Sequence, residues 1–292
     1  MSAVTSPWIC PACKVPVTTP FCAGCGEHPL APTEHTLRGL IHQFANTMSS
    51  IDSKLLRSLR DLMFRPGMLT AAYQNGLRKP YMQPFALFVM TNVLFFAAQA
   101  FTDIRIFSTQ LEVNLQRADW SELARALTAA RIAHLATTFA AFQPLFDQAV
   151  AVNAKSLMGL MVPPMALALP LVFIRRRQPF AVHVVFAAHF YAFLLVLITV
   201  PLLILAAAPL TGLKGLGSGM TMSDAMDTLT SVALAAICAG YFYVAIGRVY
   251  GTSGGTSGIW RWFQTAALVV WGALIFEGYK FTLFLITLYS VH

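Results

Sequence analysis

Two cysteine pairs carry the clearest chemistry in this chain. Cys10-Pro-Ala-Cys13 and Cys22-Ala-Gly-Cys25 are Cys-x-x-Cys steps separated by eight residues. One such step aims two thiolates at a single ion, and a second completes a tetrahedral set of four sulfurs. Gly24 and Gly26 permit the tight turns that such knuckles need. The spacing predicts structural Zn²⁺ on Cys10, Cys13, Cys22 and Cys25, with no open position for catalysis. Disulfides are the alternative and need an oxidising compartment; iron in the same four sulfurs is another. Cys238 lies alone in an apolar run and reads as a small packing residue.

A second set of reactive side chains sits where hydrocarbon is expected. His183 and His189 fall in one long apolar run, and Glu277 and Lys280 in another. Ionisable groups inside a membrane need partners and mark candidate sites. Six residues turn a helix by about 240°, so the two histidines do not share a face and cannot chelate one metal from a straight helix. Glu277 and Lys280 are spaced i, i+3 and can pair. We therefore take His183, His189, Glu277 and Lys280 as the polar intramembrane candidates, with Tyr191, Tyr243, Tyr279 and Gln143 as possible companions. Arg65, Arg78, Lys79, Arg175, Arg176 and Arg177 are the candidates for anionic headgroups.

Other signatures are missing. Gly251-Thr-Ser-Gly-Gly-Thr-Ser-Gly258 lacks the Gly-Lys-Ser/Thr that completes a P-loop and reads as a flexible hairpin. The chain has no Gly-x-Ser-x-Gly elbow and no His-Glu-x-x-His motif. Nor does any nucleophile, base and orienter set stand out, so the expectation leans away from an enzyme.

The elements that must hold these groups follow from composition. Over 292 residues, 57% are hydrophobic and only 11% charged, with mean hydropathy +0.64. Soluble chains carry roughly 25% charged residues, so an ordinary soluble globule is excluded. The expectation is an all-α polytopic membrane protein with about five transmembrane helices, a small N-terminal zinc ribbon and an interfacial amphipathic helix. Apolar runs long enough to span lie at about 84–101, 156–174, 181–208, 229–250 and 264–289. The second contains Pro163, Pro164 and Pro170, and Pro201 falls in the third. No signal peptide precedes them, because the first long apolar run begins only near Pro84.

The net charge of +8 could suggest nucleic acid, but its distribution argues otherwise. Residues 1–83, the Arg175–Arg177 turn and the loop with Arg248 and Arg261 hold thirteen basic and four acidic residues. The alternate loops, 102–155 and 209–228, hold six and seven. The positive-inside rule then sets the N-terminus in the cytoplasm and the C-terminus outside. The expected partners are membrane lipids with anionic headgroups at the cytoplasmic face, a possible protein partner of the ribbon and a possible second copy, and no nucleic acid.

Two stretches look helical without spanning. Leu37–Phe64 places Leu37, Leu40, Ile41, Phe44, Met48, Ile51, Leu55, Leu59 and Leu62 at steps of three and four, with Asp52, Arg57, Arg60 and Asp61 opposite. This predicts an amphipathic helix on the cytoplasmic interface, ended by Pro66-Gly67; the alternative is a helix packed on the zinc module or a partner. A second helix is expected from the capping residues near Asp119 to Ser121 through Leu123, Leu127, His134, Leu135, Thr138 and Phe142, as an external cap. The chain thus divides into a ribbon module (1–35), an interfacial segment (36–83) and a transmembrane domain (84–292).

Beside the two CxxC pairs stand Arg65-Pro66-Gly67, Tyr73, Gly76, Arg78, Tyr81 and Pro84, then His183-Val-Val-Phe186-Ala-Ala-His189-Phe190-Tyr191-Ala-Phe193 and Arg248-Val-Tyr250-Gly251-x-Ser253. In these pieces the chain resembles domain-of-unknown-function family 3667, bacterial membrane proteins with an N-terminal zinc ribbon. It departs from the family at Glu27, where Gln is usual, and at Val182, where Glu often precedes the first histidine. The resemblance implies the architecture and a bacterial inner-membrane location, and no activity. Two functions remain open on the sequence. One is transport or gating of an ion, a proton-linked solute or a lipid through the polar site; the other is a zinc-ribbon scaffold that recruits partners. A lipid-modifying enzyme stands third.

Overall fold

The computed structural model describes residues 7–27, 54–101, 106–174, 176, 178–207, 224–251 and 258–291. Residues 28–53, with most of the expected amphipathic helix, lie outside these, as do Arg175, Arg177, loop 209–223 and hairpin 252–257. Two short strands, β1 (Trp8–Ile9) and β2 (Pro16–Val17), pair antiparallel, Trp8 opposite Val17. Helices follow: α1 (Leu55–Phe64), α2 (Met68–Gln74), α3 (Pro84–Gln99), α4 (Leu111–Arg117), α5 (Ser121–His134), α6 (Phe139–Leu157), α7 (Val162–Val172), α8 (Phe180–Ala207), α9 (Asp224–Ile246) and α10 (Gly258–Ser290).

Among the described residues, four helical stretches are long and apolar enough to cross a membrane: Phe139–Val172, Phe180–Ile204, Leu229–Gly251 and Gly258–Ser290. The first joins α6 to α7 through a 3₁₀ turn at Met158–Met161, and Pro163 and Pro164 open α7. Proline fits a first helical turn, where its missing N–H has no partner to lose. The fifth expected span, α3, is a shorter apolar helix of 16 residues. At 1.5 Å per residue it reaches about 24 Å, against a hydrocarbon core of about 30 Å.

α8 is the axis of the core. Its apolar window is 78% buried, against 22% for α10, and α1, α2, α3 and α7 all pack on it. Leu87 and Phe95 of α3 and Val185, Ala187, Ala188 and Ala192 of α8 are fully enclosed. Small residues on α8 let its neighbours approach closely. α10 packs instead on α6, α7 and α9.

Two expectations for the non-spanning helices are corrected. α1 has an apolar side, but it also buries Ser58 and Asp61, which polarity would have turned outward. The reason is local pairing: the Ser58 hydroxyl accepts the Met82 N–H at 2.8 Å, and Tyr81 donates to Asp61 at 2.8 Å. Burial and the adjacent Asp61 carboxylate push the Tyr81 phenol up to about 12. The expected external helix is not continuous through Phe142. It breaks after His134, where Ala136 takes a left-handed φ of 49°. Thr138, rather than Asp119, supplies a side-chain cap, accepting from Ala141 at the start of α6.

Candidate functional site

The four cysteines converge. All four Sγ atoms lie within 4.8 Å of one another, and Cys10 and Cys25 sulfurs are 3.5 Å apart. Two sulfurs on one zinc at about 2.3 Å each would be about 3.8 Å apart in a tetrahedron. The two knuckles repeat one backbone pattern. Lys14 N–H donates to the Cys10 carbonyl and Gly26 N–H to the Cys22 carbonyl, while Cys10 and Cys22 donate to the carbonyls of Val15 and Glu27. Lys14 (φ 60°) and Gly26 (φ 67°) make the left-handed turns. N–H groups also point at sulfur: Cys13 N lies 3.4 Å from Cys10 Sγ. The amides of Cys25 and then Gly24 draw the Cys22 thiol down, while the neighbouring sulfurs hold the Cys13 and Cys25 thiols up, as expected where four thiols crowd together. These residues fit a single tetrahedral ion, and four soft sulfurs suit zinc.

This module is fastened to the helices. The Glu27 side chain is buried and accepts the Lys79 N–H at 3.2 Å. A Cβ at Gly26 would meet Lys79 Nζ at 2.7 Å, so bare glycine lets the lysine cover the knuckle. Lys79 belongs to the link from α2 to α3 and so joins the cysteine module to the helix bundle.

The link leads to His189. That side chain is 2% exposed on α8, and its Nδ1 shares a 2.8 Å hydrogen bond with Thr70 of α2. Around it Leu69, Tyr73, Leu77, Arg78, Tyr81, Met82, Gln83 and Pro84 line a small cavity of about 30 Å³, roughly the space of one water. Arg78 turns inward, its guanidinium 5.3 Å from the Tyr73 ring centre. α2 is held between two left-handed glycines, Gly67 (φ 76°) and Gly76 (φ 74°). Replacing Thr70 with alanine is expected to lower stability by about 1–3 kcal/mol, because the histidine loses its buried partner. Thr70→Ser should retain it; thermal unfolding of the detergent-purified pair measures the difference.

The remaining candidates distribute elsewhere. His183 Nδ1 bonds the Tyr250 hydroxyl at 2.8 Å, and that ring stacks on Phe173 at 3.9 Å. It thereby fastens the ends of α7, α8 and α9 together. Nearby, Gln74 donates to Gln178 and to the Val249 carbonyl, and Arg248 donates to the Pro66 carbonyl at 2.7 Å. Glu277 and Lys280 pair with each other at 2.6 Å on α10, and Lys280 Nζ sits 4.9 Å from the Phe276 ring centre. His189 thus has its polar neighbours on α2 and the following link, and the Glu277–Lys280 pair closes on itself. Of the headgroup candidates, Arg65 is exposed and 3.8 Å from Asp61, Lys79 lies over the ribbon, and Arg176 is half-buried in the turn before α8.

Sequence reasoning passed over Thr70, Asp61 and Ser58 as site residues. The signal was present in the motif pieces, because Tyr73, Arg78, Tyr81 and Pro84 all line the His189 cavity. No curated protein and no solved structure matches the chain. A family model described as a protein of unknown function, DUF3667, matches residues 52–96. That stretch runs from α1 to α3 and supplies every wall of the cavity except His189 itself. Over the segment that encloses His189, this chain therefore resembles the DUF3667 family.

Proposed function

We propose that the chain is a multi-pass protein of the bacterial inner membrane that gates passage of an ion, a proton-linked solute or a lipid at His189, with α2 as the gate. The observation carrying this reading is the Thr70–His189 hydrogen bond, by which a seven-residue helix between two left-handed glycines stoppers a buried polar site. α2 can swing only if φ changes at its ends, and glycine permits that. The break between α6 and α7 supports the reading, since interrupted spans are common in transport sites.

In this reading one zinc ion fills the Cys10, Cys13, Cys22 and Cys25 set. Its module restrains the gate through Glu27 and Lys79. α3 serves as the fifth crossing despite its length. It starts beside His189, and the chain after it reaches the far end of α10, where Trp120 packs on Phe281 and Arg131 donates to the Val291 carbonyl. With five crossings the N-terminus and thirteen of the 20 basic residues lie in the cytoplasm and the C-terminus in the periplasm.

Purified protein in liposomes tests the gate. Thr70→Gly should raise proton, ion or lipid movement above wild type, and His189→Ala should change its rate or selectivity. Fluxes identical among wild type, both variants and empty liposomes would overturn the reading. A scaffold role has one observation of its own. Ile9, Val15 and Phe21 stand 70%, 53% and 62% exposed on the ribbon, an apolar surface that suits a protein partner. A partner captured by wild type and lost with Ile9→Ser/Phe21→Ser, with all fluxes absent, would favour it.

A further inference from the structure

The ion pair on α10 is placed oddly for a membrane helix. Trp262 near one end of α10 and Tyr289 at the other are both exposed, as aromatic residues are at the two interfaces. Glu277 lies 15 residues from the first and 12 from the second, about 22 and 18 Å along the axis, and so near mid-membrane. Its side chain is nevertheless 42% exposed, and that of Lys280 26%. Along the same side of α10, Ile259, Phe263, Val270 and Leu274 are 58–66% exposed. Apolar exposure is ordinary toward lipid, but a half-open ionised pair in hydrocarbon is costly and calls for a polar cover.

Two further features describe what covers it. α10 is the least enclosed of the four long spans and α9 the next, at 22% and 28%, and these two pack together. Gly278, beside Glu277, and Gly240 on α9 have nothing within 4 Å of an added Cβ. Glycine on an open helix face lets a second helix come close. We propose that this face is the interface with a second copy of the chain, in which Glu277 of each protomer meets Lys280 of the other.

The charge pattern selects that occupant. Two copies inserted in the same orientation and related by a two-fold axis along the membrane normal bring α10 against α10 at equal depth. Glu277 and Lys280 differ in height by about 4.5 Å, within the reach of a lysine side chain. Each carboxylate then faces two ammonium groups, its own and its partner's. A self-complementary patch of this kind is what a two-fold interface requires.

The test uses full-length protein in lipid nanodiscs, with mass spectrometry and single-molecule subunit counting. Wild type is expected as a dimer. Glu277→Lys places only positive charge at the contact and Lys280→Glu only negative, so each alone should weaken the dimer by about tenfold or more. Co-expressed, the two variants should recover dimers made of one copy of each. A Cβ added at Gly278 meets nothing within the protomer, so Gly278→Leu should give a folded monomer, which keeps the test valid if a charge variant fails to fold. Four results would overturn the proposal: a wild-type monomer, with or without retained lipid; a wild-type complex with a different protein; charge variants that dimerise like wild type; or co-expression that fails to form mixed dimers.

Discussion

Replacing Cys22 with serine is expected to abolish metal binding at the four-cysteine cluster. The ribbon has almost no apolar core: Cys10, Val17 and Cys22 are its buried apolar residues, with Trp8 and Cys25 packed alongside. A two-stranded pair with so little buried surface does not hold its shape unaided. Bound zinc supplies about 10–16 kcal/mol in modules of this size, far more than the few contacts present. Metal analysis of wild type should find one zinc per chain and of Cys22→Ser close to none. Limited proteolysis should then cut within residues 7–27 of the variant, while the helical circular dichroism signal of the spans persists. One full equivalent of zinc on the variant would refute the four-sulfur site.

Gly67→Val, between α1 and α2, is expected to damage the helix bundle severely. Gly67 has φ of 76°, and an added Cβ would lie 2.8 Å from the Ala245 Cα and 3.0 Å from its carbonyl oxygen. Both are backbone atoms of α9, so no side-chain rotation relieves the clash. Left-handed strain and overpacking together cost about 2–5 kcal/mol. Gly272→Ala on α10 is the control. Its Cβ would come no closer than 3.6 Å to the Met165 side chain, an ordinary contact, and alanine in a helix gains up to about 1 kcal/mol over glycine. Denaturant or thermal unfolding of the two variants should therefore move in opposite directions; equal shifts would contradict the close approach of α1–α2 to α9.

What could be read in the sequence was what depends on near neighbours. The Cys10 to Cys25 spacing and the Glu277–Lys280 pair each lie within a few turns of chain, so their types and intervals were sufficient. The spans at α8, α9 and α10 were legible because hydropathy is a property of the segment. α6 was hidden, since Asp147, Asn153 and Lys155 interrupt its apolar run. Two of these find distant partners that hydropathy cannot register: Asp147 accepts the Leu111 N–H, and Asn153 donates to Thr287 and Ser290. Thr70 escaped notice for the same reason, with its partner His189 lying 119 residues away. Asp61 was assigned to the wetted side of α1 because its partner Tyr81 sits beyond the next helix.

The central place of α8 also fixes an order of assembly. Ribosomes deliver a chain from its N-terminus, at about 5–20 residues per second. The ribbon can close as soon as Cys25 emerges, because its ligands are contiguous. α2 and α3 cannot: α3 packs mainly on α8, and the Thr70 hydroxyl awaits His189, on a helix that begins at Phe180. For several seconds of synthesis these surfaces lack the helix that encloses them. A nascent chain arrested before Phe180 should carry a loaded metal module on an unsettled membrane anchor, and release through α8 should be the step that confers protease resistance on α2 and α3.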